Sequence, residues 1–477
     1  MSLLSQSVRS IQCLIFSILC LACTRSLWAP DGTMPATFEQ LVRNSQTFHK
    51  FIPFPTKANR IVTIAGSDKK KQDIIAHQAN TTRPLVDVKV LKLIDGFLVH
   101  KKNYGSDIEK KVYTTMNRDA FIDRLLTKRP IMFMTEADSY ILCTGKHGSG
   151  GFETIGTDKE KVPLILQDYL SYAEMQIAAL FGVSTPTYFI NNGSRTNTAV
   201  IGVTGMYQET GVYTGLVGAR FEKPGLMEWQ QVVVTKEQNT VENGYGKHQQ
   251  KSNPKAQLLG LWAHLYGVPL LTYDQVVHDA SGRFRALPGG RYFDTKIYKE
   301  RMKLVLKPFL IDANDRGAQE GKNVYCHIVG LGLGVWQIDA VQVKYFLDAC
   351  NELLGQRSSP YIKSLPYISD VDFSWFPDNY QEIGGIKNGG HITRNRQSIA
   401  VHFSKRNPAD KLQGADADKL LVAMYAWDGN AYPGNEYWDG QLSASGDPAA
   451  ACCSTIAELQ NPLINPNVSA QQLFVAR

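Results

Sequence analysis

The sequence predicts an α/β protein built on a buried central sheet, and three local patterns carry that expectation. Val324 to Val329 is a short apolar run that breaks into Gly330-Leu331-Gly332-Leu333-Gly334. A helical stripe of Ile338, Val341, Tyr345, Phe346, Ala349, Cys350 and Leu353 follows. Leu420 to Tyr425 is an apolar strand that empties into Trp427, Asp428, Gly429, Asn430, Asn435 and Trp438, as ligand-lining loops do at the carboxyl edge of an α/β sheet. Ile131–Met134 and Tyr140–Cys143 read as strands ahead of an amphipathic helix from Leu164 to Phe181 that Gly182 closes.

The remaining elements follow in chain order. Phe38, Leu41, Phe48 and Phe51 give Thr37–Ile52 a helical period that Pro53 and Pro55 stop. Arg60–Ala65 and Leu85–His100 read as strands, the second with a turn at Asp95-Gly96, and Asn117 caps a helix over Asp119–Leu126. The loop Gly145–Phe152 is glycine-rich but lacks the Lys-Ser/Thr pair of a P-loop. Thr187–Ile190 and Ala199–Val203 read as short strands. Thr204–Gly215 mixes aromatic, glycine and polar residues in the manner of a loop over a planar ligand. Phe309–Ile311 reads as an apolar strand leading into Asp312 and Asp315. Ser358-Ser359-Pro360 is a linker-like break, Tyr367–Phe376 a strand, 384–397 an exposed basic loop, and Pro448–Leu459 a helix.

Composition narrows the function class. With 43% hydrophobic and 20% charged residues over 477 positions the chain can bury a sizeable core. The net charge of +7 is scattered in clusters such as Lys69-Lys70-Lys71, so no nucleic-acid stripe is expected. Residues 1–30 resemble a secretory leader: Arg9 precedes an apolar run from Ile11 to Cys23 that is short for a membrane span. Export without stable membrane insertion is the expectation. Outside the leader the cysteines are Cys143, Cys326, Cys350, Cys452 and Cys453, odd in number and without zinc spacing. They read as buried free thiols, which suit a reducing final compartment such as a host cytosol. The expected organisation is the leader, an αβ extension over 31–130 and a main domain over 131–477.

The glycine triplet admits two readings. Alternating glycines let a backbone approach a ligand, and the helix start beyond presents free N–H groups suited to a pyrophosphate. The same pattern also makes a tight turn with no ligand.

The run VTGMYQETGVYTGLVGARFEKPGLMEWQQVVV, from Val203 to Val234, resembles the Y-T-G-Y and W-Q segment of macrodomains of the poly(ADP-ribose) glycohydrolase type. The upstream glycine loop with Glu174, and the downstream Gly330–Trp336 loop with the Asp339 helix, follow in that family's order. The closest subgroup by resemblance is the divergent MavL-type of bacterial effectors that remove ADP-ribose from ubiquitin. The resemblance implies a three-layer α/β/α fold with a mixed central sheet. It also implies a hydrolase that releases ADP-ribose from a modified protein, ubiquitin being one candidate, by cleavage at C1″ of the distal ribose, with no metal or other cofactor. Leu216 stands where the pattern has a tyrosine, Ala173 where it has the first of two glutamates, and Trp336 where it has phenylalanine.

On this reading Gly330, Gly332, Leu333, Gly334, Val335 and Trp336 form the diphosphate loop. Trp375 stacks adenine, and Tyr213, Asp428, Asn430 and Asn435 line the pocket. The catalytic carboxylate is sought among Asp312, Asp315, Asp339 and Glu174. Each of these has a structural alternative as a cap, turn or solvated residue. The competing function is a module that binds ADP-ribose without hydrolysing it, and a third is a secreted carbohydrate-active enzyme.

Overall fold

The computed structural model describes residues 35–247, 252–355, 362, 364–394 and 397–477. The expected leader and the Ser358-Ser359-Pro360 break lie outside them. A nine-stranded mixed sheet organises the chain: β1 (Arg83–Asp87), β2 (Gly182–Tyr188), β3 (Thr210–Leu216), β4 (Val324–Ile328), β5 (Ile368–Ser374), β6 (His391–Arg394), β7 (Gln397–Ser404), β8 (Leu420–Ala426) and β9 (Phe474–Ala476). The spatial order is β6-β7-β5-β4-β8-β3-β2-β1-β9. The neighbours β7, β5, β4, β8 and β3 are mutually parallel, while β6 and β2 pair antiparallel at either end of that block. All five parallel strands therefore end on one edge.

Helices cover both faces. One face takes α3 (Thr295–Glu320) and α4 (Gln342–Leu354), and Ser184 of β2 reaches Asp312 on α3. The other face takes α5 (Gly446–Cys453) and the following turn, where the Tyr425 hydroxyl donates to Gln460 Oε1 at 2.6 Å. The first described helix, α1 (Phe38–His49), packs on this second side, with Phe48 and Phe54 set edge-on around Trp438. No helix among the described residues is long and apolar enough to cross a membrane.

Several sequence expectations are corrected. Leu85–His100 is a strand that ends at Asp87, followed by α2 (Val88–Tyr104). Asp87 caps that helix, and Gly96 sits inside it facing Leu261. Arg60–Ala65 is the short helix Ile61–Ala65, and the Leu164–Phe181 helix is only Tyr172–Ala178. Ala199–Val203 is not a strand, and the second half of Thr204–Gly215 is strand β3 itself. The apolar strand expected at Phe309–Ile311 belongs to α3, whose 26 residues are buried on nearly every side. Its buried positions include Arg301, Lys303, Lys307, Asp312 and Arg316, so no clean apolar stripe marks the helix. Lys307-Pro308 also splits its run into two strand-like pieces, although Lys307 is paired with Asp87 at 3.0 Å and the helix continues through Pro308. The five cysteines among the described residues are free, and four of them are buried.

Candidate active site

The carboxyl edge of the parallel block gathers four loops. The loop after β4 is the glycine loop. Gly332 has φ +68°, and a Cβ there would lie 2.8 Å from the Ala219 carbonyl oxygen. A Cβ on Gly218 would lie 2.3 Å from the Gly332 nitrogen. Two backbones thus touch, and glycine at 332 serves this packing as well as any ligand. Gly330 is close to Leu333, Gly334 has open space around it, and Val335 points into solvent at 90% exposure. Trp336 folds back and is buried.

The loop after β3, Val217–Phe221, is fixed from below. Arg301 of α3 donates through Nε to Glu228 Oε1 at 2.6 Å and through Nη2 to the carbonyls of Val217 and Gly218 at 3.2 and 3.3 Å. Glu228 in turn accepts from the Arg220 backbone N–H at 3.2 Å. The Arg220 guanidinium lies between the rings of Phe133 and Trp336, 5.3 and 5.5 Å from their centroids, and donates twice to Glu222.

The loop after β8 supplies an acidic cluster. One carboxylate oxygen each from Asp428, Glu436 and Asp447 lie within 4.8 Å of one another, close enough to share a proton or to hold a cation. Glu436 comes from the turn Asn435–Asp439 and Asp447 from the first turn of α5. Asp447 Oδ1 accepts from the Gly434 backbone N–H at 2.7 Å, while its Oδ2 is buried without a partner. Glu436 Oε1 accepts from the Ser445 hydroxyl at 3.1 Å, and its Oε2 is likewise unpartnered. Burial raises the pKa of all three. Asp428 is pushed up to about 8 by burial and by Glu436, and Asp447 rises well above the carboxylate range for the same reason with Asp428 as neighbour. Glu436 is raised by burial and by Glu222. At neutral pH the cluster carries fewer than three charges.

The loop after β5 turns at Trp375, which has φ +63°, an uncommon conformation for a bulky residue. Its indole N–H donates to the Arg406 carbonyl at 3.0 Å, and the ring is 56% exposed.

The edge therefore unites Gly330–Trp336, Trp375, Asp428, Asn430 and Asn435. Asn435 donates to Asp428 and accepts from the Phe133 backbone N–H at 2.8 Å. Asn430 is fully buried with both amide atoms unpartnered. Tyr213 is displaced from the pocket into the core, wedged between Phe189 and Tyr425.

The four carboxylates expected to be catalytic are not brought together. Glu174 is held bidentately by Arg124 and closes a capping box with Ser171. Asp312 is paired with Arg83 and Arg316 on the body of α3. That is three helical turns, roughly 16 Å, beyond Arg301. Asp315 binds Arg83 at 2.7 Å. Asp339 caps the backbone of Val341 and pairs with Arg285 at 2.8 Å. Sequence reading missed Glu436, Asp447 and Arg220. The available signals were the eight-residue spacing of Asp428 and Glu436 within one loop, and the arginine that follows the T-G-L-V-G-A run.

A family model described as ADP-ribosylhydrolase MavL-like matches residues 39–477. Two proteins of Drosophila melanogaster are similar to the chain. ADP-ribosylarginine hydrolase CG3568 is 38% identical over 415 residues, covering 84% of this chain and 79% of the relative. ADP-ribosylarginine hydrolase CG2909 is 36% identical over 398 residues, covering 82% and 78%.

Proposed function

The chain belongs to the MavL-like ADP-ribosylhydrolase family, and on that premise we propose that it removes ADP-ribose from arginine side chains of a modified protein by cutting at C1″ of the distal ribose. The observation that carries this reading is the cluster of Asp428, Glu436 and Asp447, placed on the same sheet edge as the glycine loop. Three crowded carboxylates lacking a full set of cations suit a substrate whose reacting group is a guanidinium. The names of the two relatives point to the same acceptor.

In the proposed arrangement the glycine loop receives the diphosphate and Trp375 stacks the adenine, as in the poly(ADP-ribose) glycohydrolase type of macrodomain that the chain resembles. The distal ribose then lies over Asp428. Cleavage passes through an oxocarbenium-like state that a nearby anionic carboxylate stabilises. A water adds its oxygen to C1″ and gives a proton to Glu436, while the C1″–N bond breaks and the leaving guanidine nitrogen takes a proton from Asp428. Proton transfer from Glu436 to Asp428 across the cluster restores the starting state. The products are ADP-ribose and an unmodified, protonated arginine. Asp447 holds the loop through Gly434 and completes the relay.

The test is release of ADP-ribose from an arginine-ADP-ribosylated peptide, from ADP-ribosylated ubiquitin and from poly(ADP-ribose). Release from the peptide and from arginine-modified ubiquitin is expected. Tight ADP-ribose binding with no release from any of the three would overturn the catalytic reading in favour of a binding module.

A further inference from the structure

Arg220 is 4% exposed, yet its Nη1 has no hydrogen-bond partner. Nε and Nη2 are both committed to Glu222, at 3.0 and 2.5 Å, so the guanidinium is anchored along one edge of its fork. The Phe133 and Trp336 rings lie 5.3 and 5.5 Å from it. Its backbone is pinned by Glu228, which Arg301 holds. A guanidinium fixed this firmly with one arm bare is organised for an oxygen the protein itself does not supply.

The surroundings indicate which oxygen. Gly218 and Ala219, immediately before Arg220, pack backbone to backbone on Gly332. Trp336 belongs to the same glycine loop, so Arg220 borders that loop directly. On its other side it borders Phe133, whose backbone N–H donates to Asn435, the partner of Asp428. Arg220 thus lies between the loop and the acidic cluster, and in the arrangement proposed above that is where the diphosphate gives way to the distal ribose. Arginine forks favour phosphate oxygens over neutral acceptors. Resting on the hydrolase reading above, we propose that Arg220 binds a phosphate oxygen of the substrate's diphosphate through Nη1, with Glu222 as the residue that aims it. Arg220 thereby sets where C1″ falls relative to Asp428.

The experiment measures binding of ADP-ribose and of adenosine, which lacks the diphosphate, to the full chain and to Arg220→Gln, with thermal melts of both. Inorganic pyrophosphate is included as a competitor. The expected result is a loss of ADP-ribose affinity on the order of ten- to a hundredfold with adenosine affinity kept. Pyrophosphate should compete on the parent protein and not on the variant. Unchanged ADP-ribose affinity in Arg220→Gln overturns the proposal, as does a parallel loss of both ligands, which would assign the residue to packing. If the parent protein binds no ADP-ribose at all, the hydrolase reading falls and takes this proposal with it. The Glu222→Gln variant keeps the cation and frees its aim, so a smaller ADP-ribose defect than in Arg220→Gln is expected; a larger one overturns the assigned order of roles.

Discussion

Two sets of carboxylates in this protein are treated in opposite ways. Asp312 is fully buried and saturated: Arg83 Nε donates at 2.6 Å, Arg316 Nε at 3.2 Å and the Ser184 hydroxyl at 2.7 Å. Burial alone would raise its pKa, but Arg316 and Arg83 outweigh it and hold the group below the usual range. Asp428, Glu436 and Asp447 are crowded against one another, with two oxygens unpartnered and every pKa raised. The first set joins α3 to β1 and β2. The second stands at the sheet edge and holds protons near neutrality. Such groups cost stability unless they are used, which supports the proposed placing of the chemistry at this edge.

The largest effect should come from neutralising the second set. Asp428→Asn is expected to lower the rate of ADP-ribose release by about 10²- to 10⁴-fold while raising stability at pH 8–9 by about 1 kcal/mol. Release assays and melts on the same preparation check both signs, and a variant that loses activity through unfolding would break the contrast. Asp312→Ala should do the reverse. It strands Arg83 and Arg316 without their shared carboxylate, at a cost of roughly 3–5 kcal/mol, read from urea unfolding. The folded fraction should turn over substrate at the parental rate. A specific rate that falls along with stability would place Asp312 in the catalytic machinery after all.

What the sequence made legible follows from how local each signal was. Val324–Gly334 and Leu420–Asp428 were readable because an apolar strand meeting glycine, asparagine and aspartate is written in consecutive residues. Asp428, Asn430, Asn435 and Trp375 were found at the sheet edge for that reason. Glu436 and Asp447 were not, since their approach to Asp428 depends on the turn at Gly434 and on α5 docking against β8. Arg220 was invisible because a bare guanidinium arm is a tertiary fact. Asp312 and Asp315 misled because α3 buries charged residues among its apolar ones and carries Pro308, so Phe309–Ile311 imitated a strand ending in a polar turn. Tyr213 misled in another way: the Y-T-G motif lies on β3, and register sends that ring into the core beside Tyr425.

The smallest and most discriminating effect is the pH dependence of stability, where the two sets have opposite signs. Asp428 has a folded pKa of about 8 against an ordinary 3.8, so across that window the folded chain binds more protons than the unfolded one. Stability contributed by its neutral form is present below pH 4 and is lost as pH rises towards 8. Asp312 has a lowered folded pKa, so its contribution is present above pH 4 and is lost as pH falls through that lowered value. The parent protein should therefore be most stable in mildly acidic solution, with a decline on the order of 1 kcal/mol towards pH 8 after solvent screening at the partly exposed cluster. Asp428→Asn should flatten the alkaline limb and leave the acid limb, and Asp312→Asn should do the converse, both read from melts between pH 3 and 9. An alkaline limb that survives in Asp428→Asn would mean that Asp447 and Glu436 hold the shared proton between them. Since Asp447 is buried while Asp428 and Glu436 are partly exposed, proton delivery to a leaving nitrogen would then have to pass through Glu436, the remaining partly exposed member of the three.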